Sequence, residues 1–214
     1  MTFEKEMLLL YAVTDRAWVG EQSFLSQVEA ALQGGVSILQ LREKDMPEAE
    51  FVAEALEVKA LCRKYNVPLI INDDLSVAEK CGADGIHVGI EDISVAEIRQ
   101  KMGRDFIIGA TAKTPEQAQA AEAAGADYLG VGAVFPSPTK QKAIRISREQ
   151  LGEICSSVSI PAVAIGGITL ENAAELQGGG MAGIAVVSSL FGAADIRAAA
   201  EALRNTAKGL VRPC

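Results

Sequence analysis

Residues 36–45 read VSILQLREKD, a strand rich in β-branched and leucine residues that ends in four consecutive charged residues. Because side chains alternate along an extended chain, Gln40, Arg42 and Lys44 fall on one face. Arginine offers a planar fork of donors that fits phosphate oxygens in pairs, and lysine adds a mobile point charge. The pattern therefore predicts a site for a di- or triphosphate group at the end of a buried strand. The alternative is a solvated strand end whose charges pair with one another.

Outward from this stretch, short apolar runs alternate with longer segments of helical period. Strands are predicted at Leu8 to Val13, Val36 to Leu41, Leu69 to Asn72, Gly85 to Val88, Phe106 to Ala110, Tyr128 to Gly132, Ala162 to Ile165 and Ile184 to Val187. Helices are predicted at Phe24 to Gln33, Glu48 to Tyr65, Val95 to Met102, Pro115 to Ala124, Arg148 to Ser157, Leu170 to Gln177 and Ala194 to Lys208. Such alternation indicates a parallel sheet connected by helical crossovers.

A weak internal repeat supports this count. Glycines at 34–35, 82, 125 and 179–180 each stand between a helix and an even-numbered strand. Glycine suits the left-handed position that ends a helix, so these are helix stop signals. Eight units in 214 residues fit a single (β/α)8 TIM barrel spanning residues 1–214 better than an open sheet. In that fold the functional residues lie at the carboxyl ends of the strands.

Composition limits the classes of function. Apolar residues make up 49% and charged residues 22%, as in ordinary soluble globular proteins, and the formal charge of −8 argues against a nucleic-acid surface. Cys62, Cys81, Cys155 and Cys214 show no paired spacing, so incidental thiols in a reducing compartment are expected. The first apolar run is too short for a secretory signal or a membrane span. A cytoplasmic location is the expectation, and the sequence leaves a homo-oligomer open.

Carboxylates follow the third and fourth strands. Asp73 and Asp74 come directly after Asn72, and Asp92 follows the strand that contains His87. Asp73 and Asp92 would be two carboxylates on neighbouring strands, which suits Mg²⁺ held together with substrate phosphates. The alternative for each strand end is an N-cap of the next helix. His87, the one histidine of the chain, is interpreted as a satisfied interior group and not as a catalytic one.

The remaining strand ends offer hydroxyls and glycines. Thr111 and Lys113 follow the fifth strand, and the loop at 133–140 contains two prolines, two hydroxyls and Lys140. Glycines 166–167 follow the seventh strand, and Val187 and the two serines after it follow the eighth. Backbone amides there, with a short helix, predict the phosphate site that recurs in this fold.

Two anion sites thus emerge, one for a pyrophosphate near strands two to four and one for a monophosphate near strands seven and eight. The sequence contains no evident pairing of a nucleophile with a base, and no pair of carboxylates suited to glycoside hydrolysis. The chemistry left is one in which a pyrophosphate departs and a second phosphorylated molecule arrives.

Over nearly its whole length the chain resembles the thiamine phosphate synthase family, also called thiamine-phosphate pyrophosphorylases. The matching segments, in order, are YAVTD, QLREKD, PLIINDD, GADGIHVG with ED, GADYLGVGAVFPSPTK, PAVAIGGI and GIAVVSS. The resemblance implies a barrel that joins 4-amino-2-methyl-5-hydroxymethylpyrimidine diphosphate to 4-methyl-5-(2-phosphonooxyethyl)thiazole, with Mg²⁺. The products would be thiamine monophosphate and pyrophosphate, through a dissociative mechanism in which pyrophosphate leaves first.

The resemblance also implies roles for individual residues. The binders of the pyrimidine diphosphate would be Gln40, Leu41, Arg42, Glu43, Lys44, Asn72, Thr111 and Lys140. Among them Arg42, Lys44 and Lys140 would be catalytic, since they stabilise the leaving group. The Mg²⁺ ligands would be Asp73 and Asp92. The binders of the thiazole phosphate would be Ser137, Pro138, Thr139, Gly167, Val187 and Ser188.

The chain departs from the family pattern at a few positions. Thr111 and Lys113 stand where a serine and a histidine are usual, Ile90 replaces a glutamine, and Ser137 replaces a threonine. A thiazole tautomerase-like relative of the same fold typically keeps that histidine and loses the REK segment and the loop lysine, the reverse of this chain. A non-catalytic sensor of thiamine precursors is the other alternative, and it has no need of a site for metal-assisted departure of a leaving group.

Overall fold

The eight predicted strands close into one barrel in chain order, with the last strand beside the first. The structure is a computed structural model that describes residues 3–19, 22–136 and 144–211. All neighbouring strands are parallel. The strands are β1 (Leu10–Val13), β2 (Ile38–Leu41), β3 (Leu69–Asn72), β4 (Gly85–Val88), β5 (Ile107–Ala112), β6 (Tyr128–Gly132), β7 (Ala162–Ile165) and β8 (Gly183–Val186). The (β/α)8 prediction is confirmed.

Helices follow most strands and surround the barrel. They are α1 (Phe24–Gln33), α2 (Glu48–Lys64), α3 (Leu75–Cys81), α4 (Val95–Met102), α5 (Pro115–Ala123), α6 (Arg148–Ser156), α7 (Ser188–Phe191) and α8 (Ile196–Leu210). Six of them begin with a Ser, Thr or Asp side chain that accepts a hydrogen bond from a backbone N–H three residues on, which stabilises the helix start: Ser23, Asp74, Ser94, Thr114, Ser147 and Asp195.

Strand alternation divides the buried side chains into two layers. One layer fills the barrel interior: Leu8, Tyr11, Val13, Ile38, Ile70, Ile107, Tyr128, Val163 and Ala185. The other lies between barrel and helices, where Leu39 and Leu41 of β2 belong. Since β2 alternates, Gln40 shares the inner face with Ile38. The inner layer therefore combines apolar side chains with two tyrosines and a glutamine, and the polar members matter for the site.

One predicted helix is wrong. The segment from Leu170 to Gln177 contains only a 3₁₀ turn at Ala173–Leu176. The side chain of Asn172 accepts from the backbone N–H of Thr169 and donates to the carbonyl of Gly167, which ties the start of the segment to the end of β7. The first predicted strand also begins later, at Leu10, because Lys5–Leu8 forms a 3₁₀ turn.

The described thiols agree with the prediction of incidental cysteines. Cys62 and Cys81 are buried, Cys155 is half-buried, and all three are free. Burial raises the pKa of Cys62 to about 12 and that of Cys155 to about 11, so these thiols stay protonated. Cys214 lies outside the described residues. Within the described ranges, none of the helices has the length and apolar character needed to cross a membrane.

Candidate active site

The carboxyl end of β2 carries the predicted diphosphate segment. Gln40 points into the barrel, is 5% exposed, and donates from Nε2 to the hydroxyl of Tyr11 over 2.8 Å. Leu41 is fully buried on the opposite face, against the helices. The strand ends there, so strict alternation stops before Arg42 and Lys44. Lys44 is exposed in a bend at the mouth of the barrel.

Arg42 is held by the end of β1. Its backbone N–H donates to Oγ1 of Thr14 over 2.9 Å, and its Nη1 lies 3.1 Å from Oδ2 of Asp15. The other carboxylate oxygen of Asp15 accepts from the N–H of Ala17, so Asp15 is itself fixed. Both side chains of this ion pair are largely buried. The guanidinium orientation therefore depends on Asp15, for which the sequence analysis predicts no specific role.

Glu43 belongs to a second ion pair on the other side of the segment. Its Oε2 lies 2.8 Å from Nε of Arg16, and the same guanidinium also bonds Glu54 of α2. The Glu43 side chain is 5% exposed, and among the described residues its Oε1 has no hydrogen-bond partner. Burial raises the pKa of Glu43, against the lowering effect of Arg16. Glu43 thus braces the segment, and its contact with substrate stays a prediction.

At the end of β3 the capping role goes to Asp74. Its Oδ1 accepts from the N–H of Val77, so Asp74 begins α3, as the alternative for this strand end predicted. Asp73 precedes it in the left-handed region, with φ of +61°, and its N–H donates to the carbonyl of His87 in β4. Asn72 is the last residue of the strand, and it pairs in register with His87. Asp73 is therefore exposed beside β4 and is not needed to start the helix.

At the end of β4 the capping alternative for Asp92 is wrong. Ser94 begins α4 through a capping box with Glu97, in which each side chain bonds the other residue's backbone N–H. Asp92 instead accepts from the N–H of Gly89 over 2.7 Å, which fixes its carboxylate above the strand end. Both predicted metal ligands are thus exposed carboxylates on neighbouring strands, and neither caps a helix.

The donor set at these strand ends fits a hard divalent cation that also binds substrate. Mg²⁺ in proteins typically takes one or two carboxylates and completes its shell with phosphate oxygens and water. Across residues 3–19, 22–136 and 144–211 there is no cluster of three or more His, Cys, Asp or Glu side chains that could hold a metal. Two carboxylates, Asp73 and Asp92, are what such a substrate-completed site requires.

His87 lies inside the barrel, as its interpretation as a satisfied interior group predicted. Its Nδ1 is 3.2 Å from the hydroxyl of Tyr128, and its Nε2 is 3.1 Å from Oγ1 of Thr111 on β5. The Tyr128 hydroxyl is also 2.7 Å from that of Tyr11. Neither tyrosine was expected to matter, although a phenol on the inner face of a strand needs a polar partner.

The ends of β7 and β8 use backbone instead of charged side chains. Gly166 and Gly167 have φ of +106° and +63°, and a Cβ on Gly167 would lie 2.1 Å from the carbonyl oxygen of Pro136. The chain after β6 therefore runs directly against Gly167. Val187 precedes the short helix α7, whose first residue is Ser188. Ser137, Pro138, Thr139 and Lys140 lie outside the described residues.

Comparison with known proteins gives one consistent result. The family model described as thiamine monophosphate synthase matches residues 10–190. The thiamine-phosphate synthase of Ruminiclostridium cellulolyticum is 46% identical over 194 residues, which cover 91% of this chain and 92% of that protein. That of Methanobrevibacter smithii is 46% identical over 196 residues, with 92% and 93% covered. The structure of a thiamine phosphate pyrophosphorylase from Pyrococcus furiosus superimposes with a TM-score of 0.89 at 38% identity, covering 97% of this chain and 99% of that one.

Proposed function

Because the chain belongs to the thiamine monophosphate synthase family, we propose that it condenses the pyrimidine diphosphate with the thiazole phosphate named above. The products are thiamine monophosphate and pyrophosphate. The observation that carries the proposal is the placement of Arg42, Asn72, Asp73 and Asp92 at or just after the carboxyl ends of three successive strands. A guanidinium, an amide and two carboxylates are the groups that a metal-bound pyrophosphate needs.

In this proposal, the pyrimidine diphosphate occupies the β2 to β5 side. Arg42, oriented by Asp15, binds phosphate oxygens, and the exposed ammonium of Lys44 adds a second cation. Gln40, Asn72 and Thr111 contact the substrate from the inner faces of their strands. Leu41 packs behind Gln40 on the helix side, and Glu43 supports the segment through Arg16. Lys140 would contact the pyrophosphate from the loop after β6.

Asp73 and Asp92 are proposed to hold Mg²⁺ with the diphosphate. When bound, the ion would neutralise the charge that develops on the departing pyrophosphate. The protein's own contribution is that neither carboxylate is used to cap a helix. Asp74 and Ser94 cap the helices, and Gly89 fixes Asp92 through its N–H. A carboxylate already held in place, as that of Asp92 is, saves reorganisation when the ion binds.

The thiazole phosphate is proposed to bind at the ends of β6, β7 and β8. Gly167 offers close backbone approach, and Val187 and Ser188 stand at the start of α7. Pro136 contacts Gly167, and the family resemblance assigns Ser137, Pro138 and Thr139, which follow it in sequence, to the same phosphate. A site built from amides and hydroxyls suits a monophosphate that must bind but not react.

The proposed chemistry is dissociative. Arg42, Lys44 and Lys140 bind the pyrophosphate more tightly as its negative charge grows, which lowers the barrier to its departure. The pyrimidine-methyl cation that remains is captured by the thiazole ring nitrogen, and the new C–N bond replaces the broken C–O bond. An uncharged ring nitrogen carries no proton to remove, so no general base is required.

The free, protonated thiols are in keeping with a reducing, cytoplasmic setting.

The test combines the purified protein, both substrates and Mg²⁺, and follows thiamine monophosphate. Controls omit each substrate in turn or add a chelator. Product that requires both substrates and the metal is the expected result. Bound substrates without turnover, in folded protein, would instead favour a sensor, and conversion of a thiazole precursor without the pyrimidine would favour a tautomerase.

A further inference from the structure

Five polar side chains form a continuous hydrogen-bonded row through the barrel interior. In order they are Gln40, Tyr11, Tyr128, His87 and Thr111, from strands β2, β1, β6, β4 and β5. The successive donor–acceptor distances are 2.8, 2.7, 3.2 and 3.1 Å. Both ends of the row are proposed substrate contacts, whereas the three central residues have no role in the proposed function.

Three members of the row are buried, His87 and Thr111 are half-buried, and the rings are closely packed. Tyr11 is 1% exposed and Tyr128 is 0% exposed. Glycines on β5 and β6 leave the space that the rings occupy: a Cβ on Gly109 would lie 2.1 Å from Cζ of Tyr128, and one on Gly130 would lie 2.9 Å from Cε1 of His87. The rings therefore cannot shift toward these strands, and the order of hydrogen bonds along the row is fixed by geometry.

Each side chain of the row donates its proton to the next one, from Gln40 toward Thr111. Among the residues that the structure describes, the Tyr11 hydroxyl has only Gln40 and Tyr128 as partners. It accepts from the Gln40 amide, so its own proton must go to Tyr128; otherwise a buried donor would be left unsatisfied, at a cost of about 1–3 kcal/mol. Tyr128 must then donate to Nδ1 of His87. Burial raises the pKa of both phenols, so both keep their protons.

The same accounting determines the two ends. His87 accepts at Nδ1, so as a neutral imidazole it carries its proton on Nε2 and donates to Thr111. The Thr111 hydroxyl has then filled an acceptor position and keeps its proton for another partner. At the other end Gln40 donates one N–H of its amide to Tyr11, which leaves Oε1 as an acceptor and the second N–H as a donor.

We propose that Tyr11, Tyr128 and His87 are positioning residues that present an acceptor at Gln40 and a donor at Thr111 to the pyrimidine substrate. The pair is complementary to an aminopyrimidine diphosphate, whose amino group donates and whose ring nitrogens and phosphate oxygens accept. The inference rests on the proposed function for the identity of the ligand. The direction of the row in the free protein does not depend on it.

The first test reads the tautomer of His87 directly. Because His87 is the one histidine in the sequence, untagged protein labelled with ¹⁵N in histidine gives one pair of imidazole nitrogen signals. At about pH 8, above the ordinary histidine pKa, we expect the proton on Nε2, identified by the couplings of each nitrogen to the ring protons. Protonation on Nδ1 in the wild-type protein would overturn the proposal.

Two tyrosine variants then separate the links of the row. Tyr128→Phe removes the donor to Nδ1, so His87 should populate both tautomers. Tyr11→Phe leaves that donor in place, so the Nε2–H tautomer should persist while Gln40 loses its fixed orientation. Tyr65→Phe is the matched control, since Tyr65 is a half-buried residue that bonds Gln33 and Glu29 outside the barrel. An unchanged His87 spectrum in folded Tyr128→Phe would contradict the assignment.

Kinetics test the role of the row in binding. Tyr128→Phe and Thr111→Val should each raise the KM for the pyrimidine diphosphate about tenfold, the equivalent of one hydrogen bond, with the KM for the thiazole phosphate unchanged. The double variant should lose little more than either single one, because both break the same row. Tyr65→Phe, which changes a residue outside the row, should retain wild-type values. Additive losses, or equal changes in both KM values, would reject a positioning role; a protein without synthase activity but with the expected tautomers would reject only the proposed function.

Discussion

The two halves of the barrel mouth differ in the groups that hold them: side chains in one half and backbone in the other. Around β1 to β5 the anchors are side chains: Asp15 holds Arg42, and Asp92 is fixed by the N–H of Gly89. Around β6 to β8 they are backbone: Gly166 accepts from the N–H of Phe135, and Gly167 lies against Pro136. The first half can therefore be altered in charge while its shape is kept. In the described part of the second half the close contact is between backbone atoms, so an added atom at Gly167 changes its shape.

The largest effect on turnover is expected from a substitution in the half around β1 to β5. Asp73→Asn should lower turnover about a hundredfold, since the charge stabilisation supplied by a bound metal amounts to several kcal/mol. Asparagine tolerates the left-handed backbone at this position, so the fold should persist. The measurement is the initial rate as a function of Mg²⁺ concentration. Asp74→Asn, next in the chain, keeps an N-cap and should retain activity; equal losses in both variants would remove the distinction between metal ligand and cap.

The next effect tests the backbone half. Gly167→Ala places a methyl group at the Pro136 carbonyl and strains a left-handed residue, so the KM for the thiazole phosphate should rise by about tenfold or more. The KM for the pyrimidine diphosphate should change much less. Gly152→Ala is the control, because Gly152 lies in α6 with open space around its Cα. This variant should gain about 0.5–1 kcal/mol in stability. A normal thiazole KM in Gly167→Ala would show that this glycine does not shape the phosphate site.

A smaller effect is expected from loosening Arg42 without removing it. Asp15→Asn keeps the hydrogen bond to the N–H of Ala17 and deletes the charge that orients the guanidinium. The KM for the pyrimidine diphosphate should rise by about three- to tenfold, in line with about 1 kcal/mol for a partly buried ion pair. Steady-state kinetics with the thiazole phosphate saturating measure it. If Arg42 were oriented by its bond to Thr14 alone, Asp15→Asn would behave as wild type.

The smallest effect concerns stability as a function of pH. Burial raises the pKa of Glu43, so the folded state binds a proton that the unfolded state releases, and stability falls as pH rises from about 4.5 through the raised value. Glu43→Gln removes the titrating carboxyl. The stability of this variant relative to wild type should therefore improve as pH rises from about 4.5 through the raised pKa. Gln also offers a donor to Glu54, whose Oε1 has no partner among the described residues. Denaturant unfolding at several pH values measures the difference.

Glu149→Gln provides the opposite sign. The backbone N–H of Glu149 and the Ser147 side chain lower the pKa of this exposed carboxyl at the start of α6. The contribution of Glu149 to the stability of the wild-type protein therefore grows as pH rises toward the ordinary glutamate pKa. The stability of Glu149→Gln relative to wild type should fall over the same range. The same trend in both variants would mean that Glu43 is not the group that titrates.

The strands were predictable because each is a short apolar run bounded by glycine or charge. Four of the eight, including Leu69–Asn72 and Gly85–Val88, begin and end where predicted. The structure of the segment after β7 was not predictable. Its apolar residues have a helical period, but the side chain of Asn172 bonds the backbone before it. Local hydrogen bonding by asparagine is decided by the path of the chain, which periodicity does not report.

The strand-end residues of the site were predictable for the same reason that the fold was. The carboxyl ends of parallel strands meet, so Asn72, Asp73 and Asp92 could be grouped from sequence. The row of hydrogen bonds could not, since Tyr11 and Tyr128 are 117 positions apart and each is an unremarkable strand tyrosine by itself. The role of Asp15 was also hidden, because the ion pair with Arg42 depends on β1 lying next to β2.

Barrel closure has a consequence for how the protein is made. Leu10 to Ala12 pair with Ile184 to Val186, so the first strand synthesised lacks one neighbour until the last has left the ribosome. Contacts between residues so distant in the chain are costly in loop entropy and form late. Exposed edges at β1 and at the growing end of the sheet are open to wrong pairing in that interval. We therefore expect the nascent chain, more than the finished barrel, to be the form in which this protein depends on chaperones.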